Sequence, residues 1–130
     1  VRQAGEKLIA RVIVPGRPVP AARMTRRGKW VGRQAQRYLA WRELAMLCCL
    51  HAAARLRQGV PTGPLRVLLR FAIHGGRRGD WDNLAKALTD AGNGVLWQDD
   101  AQIVRAEVEI VDAPTKGAEK AEMIVWELSP

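Results

Sequence analysis

The sequence predicts an α+β fold, a single domain over residues 1–130 with the order β-α-β-α-β-β and a small mixed sheet packed by two helices. Three observations carry this. A chain of 130 residues is long enough for one core without covalent staples. Four runs alternate apolar and polar residues at the period of a half-buried strand. Two stretches of good helix formers lie between them. No internal repeat or linker divides the chain.

The first strand runs from Lys7 to Val14, with Leu8, Ala10, Val12 and Val14 on one face. Pro15, Gly16, Pro18 and Pro20 end it and open a basic loop over about residues 15–33. Gln34 to Arg57 contains no Pro or Gly and reads as a helix. Leu39, Trp41, Leu44, Leu47 and Leu50 surround much of its circumference, so most of it should be buried. Arg55 and Arg57 suit its C-terminal dipole, and Gly59 and Pro61 stop it. The second strand, Leu65 to Ile73, turns Leu65, Val67, Leu69 and Phe71 inward, opposite Arg66 and Arg70. The loop "HGGRRGD" leads to a short helix from Asp82 to about Ala91, ended by Gly92-Asn93-Gly94. Ile103–Val111 and Lys120–Leu128 are the last strands, and the turn "DAPTKGAE" predicts that they form a hairpin. Trp41, Trp97 and Trp126 are expected in the core or at a dimer interface, and Trp30 either stacks on a base or anchors its loop.

Several function classes drop out. The longest strongly apolar run, Leu44 to Leu50, is far short of the roughly 20 residues that span a bilayer. Val1 to Ala10 lacks the apolar block of a signal peptide. Cys48 and Cys49 match no zinc or redox spacing and read as reduced core fillers in a cytoplasmic protein. Ser129 is the only serine, which removes serine nucleophiles. No phosphate-binding glycine loop is present, so no nucleotide cofactor is expected. His51 and His74 have no partners at zinc-ligand spacing.

The charge is uneven. Residues 1–57 hold thirteen Lys/Arg and two acids, a net of +11, against −3 for residues 58–130. From Arg17 to Arg37 seven cations meet no acid. Such a block points to a polyanion, most often nucleic acid, although a solvated arginine loop has the same composition.

The segment "GDWDNLAKALTDAGNGVLWQDDAQIV", Gly79 to Val104, holds five of the thirteen acids. Asp80 and Asp82 fall at a loop-to-helix junction, where chemistry is common. The helical rise puts Lys86 about 6 Å and Asp90 about 12 Å along the axis from Asp82, so Asp90 is too far to share a metal with it. Reversal through "AGNG" is expected to bring Asp99 and Asp100 back beside Asp80 and Asp82. Gathered carboxylates repel unless a cation intervenes, and a hard ion such as Mg²⁺ suits oxygen ligands. A helix cap or a surface ladder Asp82–Lys86–Asp90 explains one or two of these residues, but neither Asp80 nor the second acidic pair. Metal-bound carboxylates in a basic protein suit a nuclease, and are shared by polymerases and phosphatases.

One pattern is more specific. A D-x-D-N pair, Asp80, Asp82 and Asn83, precedes Lys86 on the next helical turn. A W-x-D-D-x-Q segment, Trp97, Asp99, Asp100 and Gln102, then enters a strand. In these residues the sequence resembles the RusA family of Holliday junction resolvases, often carried on prophages. Length, element order and a P-x-x-P loop (Pro15, Pro18) extend the likeness to most of the chain. The resemblance implies a RusA-like, homodimeric endodeoxyribonuclease for DNA recombination and repair. It would depend on Mg²⁺, with Mn²⁺ as substitute, and nick a four-way DNA junction symmetrically. It implies Asp80, Asp82 and Asp100 as metal carboxylates and Lys86 as the catalytic lysine at the scissile phosphate. Asn83 and Asp99 would hold those ligands, and Asp90 would pair with Lys86. Arg23, Arg26, Arg27, Lys29, Arg33, Arg77 and Arg78 are candidate DNA phosphate contacts. Gly79 stands where related sequences can carry a basic residue, and Trp81 where a smaller aliphatic one is common. The segment between Lys86 and Trp97 is about one residue shorter than in some relatives. The rival readings are a general branched-DNA or flap nuclease and a non-catalytic basic DNA-binding module.

Overall fold

The computed structural model of the chain describes residues 5–22 and 32–129. Strands β1 (Glu6–Pro15), β2 (Leu65–Ile73), β3 (Ile103–Asp112) and β4 (Lys120–Leu128) form one mixed sheet. Helices α1 (Arg33–Ala53) and α2 (Trp81–Gly92) pack on it. The α+β class and the element order are those the sequence predicts. β2 and β4 also begin and end where their alternation does.

The expected hairpin does not form. The spatial order is β1-β4-β2-β3, with β4 antiparallel to both neighbours and β3 parallel to β2. A helix between β2 and β3 is the crossover that parallel pairing needs. Residues 113–119 then step over the end of β2. The Ala113 N–H donates to the Ile73 carbonyl at 3.0 Å, and the His74 N–H donates to the Glu119 carboxylate at 2.9 Å. Side-chain character explains the choice. Ala121, Met123 and Val125 of β4 are fully buried at the sheet centre, while β3, with Arg105, Glu107 and Glu109, has no buried residue and takes an edge.

Both helices cover the same face, where Val12, Val67, Leu69, Phe71 and Met123 meet Tyr38, Trp41, Leu84, Leu88 and Trp97. The other face is ionic. Glu122 binds both Arg11 and Arg70, Arg70 binds Glu109, and Arg66 binds Glu6 and Glu107. Trp41 and Trp97 are therefore core, whereas Trp126 lies on the ionic face with the Arg66 guanidinium 4.5 Å from its ring centre.

Two burial expectations are corrected. A bulge between Leu8 and Ala10 turns Leu8 out of the apolar row, leaving it 46% exposed. On α1 only the stripe Ala35, Tyr38, Trp41, Ala45 and Cys49 is buried, while Leu44, Met46, Leu47 and Leu50 face outward. A single sheet offers the helix one surface, and small Ala45 and Cys49 let it approach closely. The helix also stops at Ala53 instead of continuing to Arg57. Burial pushes the Cys49 thiol up to about 12, so it stays protonated and unreactive. Among the described residues, no helix is long and apolar enough to cross a membrane.

Candidate active site

β1 and β2 run in the same direction, so the chain leaves both at one end of the sheet. There Arg17 turns inward. Its Nη1 donates to Glu119 Oε2 at 2.7 Å and to the His74 carbonyl at 3.3 Å. Its Nη2 donates to the carbonyls of Gly75 at 3.0 Å and Arg77 at 3.1 Å. This one side chain ties residues 74–77 to the chain after β1. His74 Nδ1 lies 2.9 Å from the Ala113 carbonyl, which can only accept, so Nδ1 carries the proton. His74 and Arg17 are thus braces for the loop that delivers Asp80.

Glu119 is buried under this brace. The His74 backbone N–H, followed by Arg17, holds its carboxyl below the ordinary value of 4.5 against the opposing effect of burial. A depressed carboxyl binds its proton more weakly folded than unfolded. Its contribution is complete above the ordinary carboxylate range and is lost as pH falls through the lowered folded value. Glu119→Gln keeps an acceptor for His74 but loses the charge. Its stability should lie below wild type near neutrality, and the gap should narrow as pH falls through the ordinary carboxylate value of 4.5 and on through the lowered folded one. Thermal unfolding across that range checks this; a gap independent of pH contradicts it.

Beyond the brace, Gly79 adopts a φ of +82°, and a Cβ there would meet Pro20 Cγ at 2.9 Å. Only glycine allows both the turn and this contact. The Ala21 N–H then donates to the Asn83 carbonyl at 2.9 Å, laying the proline strap across the start of α2. This accounts for Gly79 in place of a basic residue. Between strap, loop and α1 opens a basin of about 670 Å³. Arg33, Arg37, Arg77, Arg78 and Asp80 line it. The sequence reading named Arg33, Arg77 and Arg78 but passed over Arg37. Its signal was the four-residue step from Arg33, which puts both on one helix face. Arg23, Arg26, Arg27, Lys29 and Trp30 lie outside the described residues.

Asp80 occupies the N-cap position of α2, yet its side chain makes no capping hydrogen bond. Asp82, in the first turn, is exposed and accepts from the Asn83 N–H at 2.9 Å. Among the described residues, no ion pair uses Asp80, Asp82 or Asp100. Lys86 instead pairs with Asp90 at 3.1 Å. The hydrogen bond and charge of Asp90 raise the Lys86 pKa, and Asp100 adds to the effect, so Lys86 is a firm cation.

Asp100 is held from behind. The indole N–H of fully buried Trp97 donates to Asp100 Oδ1 at 2.7 Å. Asp99 caps the following 3-10 turn, accepting from the Ala101 N–H, while Gln102 Oε1 accepts from the Gln98 and Asp99 N–H groups. The Gln102 amide also donates to the Pro61 and Gly63 carbonyls, fixing the turn to the sheet. Gly92 is needed here too. A Cβ would lie 2.4 Å from the Trp97 ring.

The three carboxylates are not gathered as expected. Because β3 runs parallel to β2, Asp100 sits at the end of the sheet where β2 begins, while Asp80 follows the end where β2 finishes. Among the described residues, no three His, Cys, Asp or Glu side chains are grouped to hold a metal. The donor chemistry still fits a hard ion in one form. Mg²⁺ commonly takes one or two carboxylates and completes its shell with waters and substrate phosphate. The uncapped Asp80 beside the arginine-lined basin, with Asp82 two residues on, offers carboxylates of that kind.

No curated protein matches the chain. The model of the endodeoxyribonuclease RusA family matches residues 15–125 of the 130, from the end of β1 through most of β4. That span includes the arginine basin, the D-x-D-N helix start and the braced Asp100 turn, and the chain belongs to the RusA endodeoxyribonuclease family.

Proposed function

We propose that this chain is a Mg²⁺-dependent, structure-selective endodeoxyribonuclease that resolves four-way DNA junctions by paired nicks. The observation that carries the reading is Asp80: among the described residues its carboxylate makes no capping bond and no ion pair, and it lines a basin with Arg33, Arg37, Arg77 and Arg78. Several arginines and one carboxylate lining the same basin suit a phosphodiester, which the arginines attract and the carboxylate repels until a cation separates them. A bound magnesium ion would polarise the phosphate and supply an acidified water. Asp80 and Asp82 are the residues that would hold it. Lys86, kept cationic by Asp90, would stabilise charge developing on the phosphate. Asp100 would act at longer range, through the field it adds at Lys86.

Two equivalent nicks call for two equivalent sites, and a two-fold dimer supplies them. The outward Leu44, Leu47 and Leu50 of α1, and β1 as an edge strand among the described residues, are surface suited to a second copy.

The test is purified protein with four-way junction, flap and linear duplex substrates. With Mg²⁺ the junction should be cut in preference to the others. With Ca²⁺ it should be bound but not cut, as calcium's looser shell supports the chemistry poorly. Light scattering of the same sample should give twice the chain mass. Flap cutting that equals or exceeds junction cutting favours the general branched-DNA nuclease. Binding with no Mg²⁺-dependent cutting leaves the non-catalytic module.

A further inference from the structure

The residue between Asp80 and Asp82 is unused by any of this. Trp81, the first residue of α2, is 61% exposed, more than any other large apolar side chain among the described residues. Its indole borders an open recess whose floor is Ala106, Val108 and Ile110 of β3. These residues belong to the sheet face that the helices cover, but β3 is the edge strand and none of its residues is fully buried. Among the described residues, the recess is therefore largely apolar and open. Arg78 stands at its rim, and the same Arg78 lines the basin beside Asp80. The apolar recess and the arginine basin thus meet at Arg78, with Asp80 on the basin side.

We propose that the Trp81 recess receives a DNA base, unstacked next to the phosphate that lies against Asp80. This deepens, and rests on, the nuclease reading above. An exposed indole offers a stacking surface for any base, and an adjacent guanidinium holds the backbone that carries it. Packed duplex has no such free base. A junction does, at its branch point, where strands change partners. Trp81 is then a positioning residue: it selects substrates with an accessible base and fixes which phosphate reaches Asp80. The occupant is argued from charge. Among the described residues the recess has one cation, Arg78, shared with a basin lined by four further arginines, which suits a polyanion and disfavours a second copy of this basic chain, net charge +8.

The test compares wild type, Trp81→Ala and Trp81→Phe on a four-way junction carrying 2-aminopurine at each branch-point position in turn, in Ca²⁺ for binding and Mg²⁺ for cutting. In wild type, one position should lose its fluorescence on binding, as it stacks. Trp81→Ala should abolish that quenching and weaken junction binding by about 10- to 100-fold, with linear-duplex binding nearly unchanged. Trp81→Phe should restore most of both. Because Trp81 is exposed, all three proteins should melt alike. Equal quenching and affinity in Trp81→Ala overturn the recess proposal while leaving the nuclease reading intact. A change in oligomeric mass without a change in DNA affinity also overturns it, since the recess is then a protein interface. If wild type neither binds nor cuts branched DNA, both readings fall together.

Discussion

Asp80→Asn should lower junction cleavage by about 10³-fold or more while binding is retained or tightened. Asparagine matches aspartate in shape and is an equally good helix N-cap. The Asp80 side chain makes no capping bond, so the substitution removes charge without removing a structural contact. Among the lining residues the basin then holds five arginines and no carboxylate, and phosphate should sit in it at least as well. What disappears is the ability to hold a hard cation at that phosphate. Thermal stability should move by less than about 0.5 kcal/mol, the usual scale for an exposed position. Single-turnover cleavage and equilibrium binding, measured on one preparation, separate the two effects. Cutting at the wild-type rate in Asp80→Asn would remove this residue from the metal site.

Gly92→Ala should be strongly destabilising, since a Cβ there would be the most crowded at any described glycine. Its Cβ would lie 2.4, 2.9 and 3.0 Å from three atoms of the Trp97 ring, and that ring has no exposed surface into which to retreat. Alanine is favoured over glycine in a helix by about 1 kcal/mol, but overpacking a core costs about 1–3 kcal/mol and a rigid indole puts this case at the high end. The consequence extends to the site. Trp97 can yield only by moving the N–H that holds Asp100 at 2.7 Å. Denaturant unfolding should show a lower midpoint with an unchanged slope, and cleavage should fall with it. Trp97→Phe separates the causes. It keeps an apolar ring over Gly92 but removes the donor, so cleavage should fall more than stability does. A Gly92→Ala protein as stable as wild type would mean that the ring has room to shift.

The local elements were legible because each depends on residues near in sequence. Leu65, Val67, Leu69 and Phe71 alternate, and β2 spans the predicted residues with those four buried. The D-x-D-N and W-x-D-D-x-Q segments were also readable, as was the pairing of Lys86 with Asp90 one turn along α2. Spacing of this kind is fixed by helix and strand geometry alone. Arg37 was equally available from its spacing to Arg33, but the chain had first to show which face of α1 looks at Asp80.

Other features depended on partners far along the chain. Strand pairing was misjudged because a turn between two strands favours a hairpin only if no other strand competes. Here β4 carries fully buried Ala121, Met123 and Val125 and enters the centre between β1 and β2, leaving polar β3 to pair with β2 alone. That choice separated Asp100 from Asp80. It also left the inner face of β3 open beside Trp81, among the described residues. The Arg17–Glu119 brace joins residues 102 positions apart, and no local pattern announces it. The sequence by itself determined the elements, the basic and acidic halves and the chemistry of the candidate residues, because these follow from side-chain type and local period. Only the tertiary structure decided which carboxylate meets the arginines and which is held away, because burial is a competition among all strands at once.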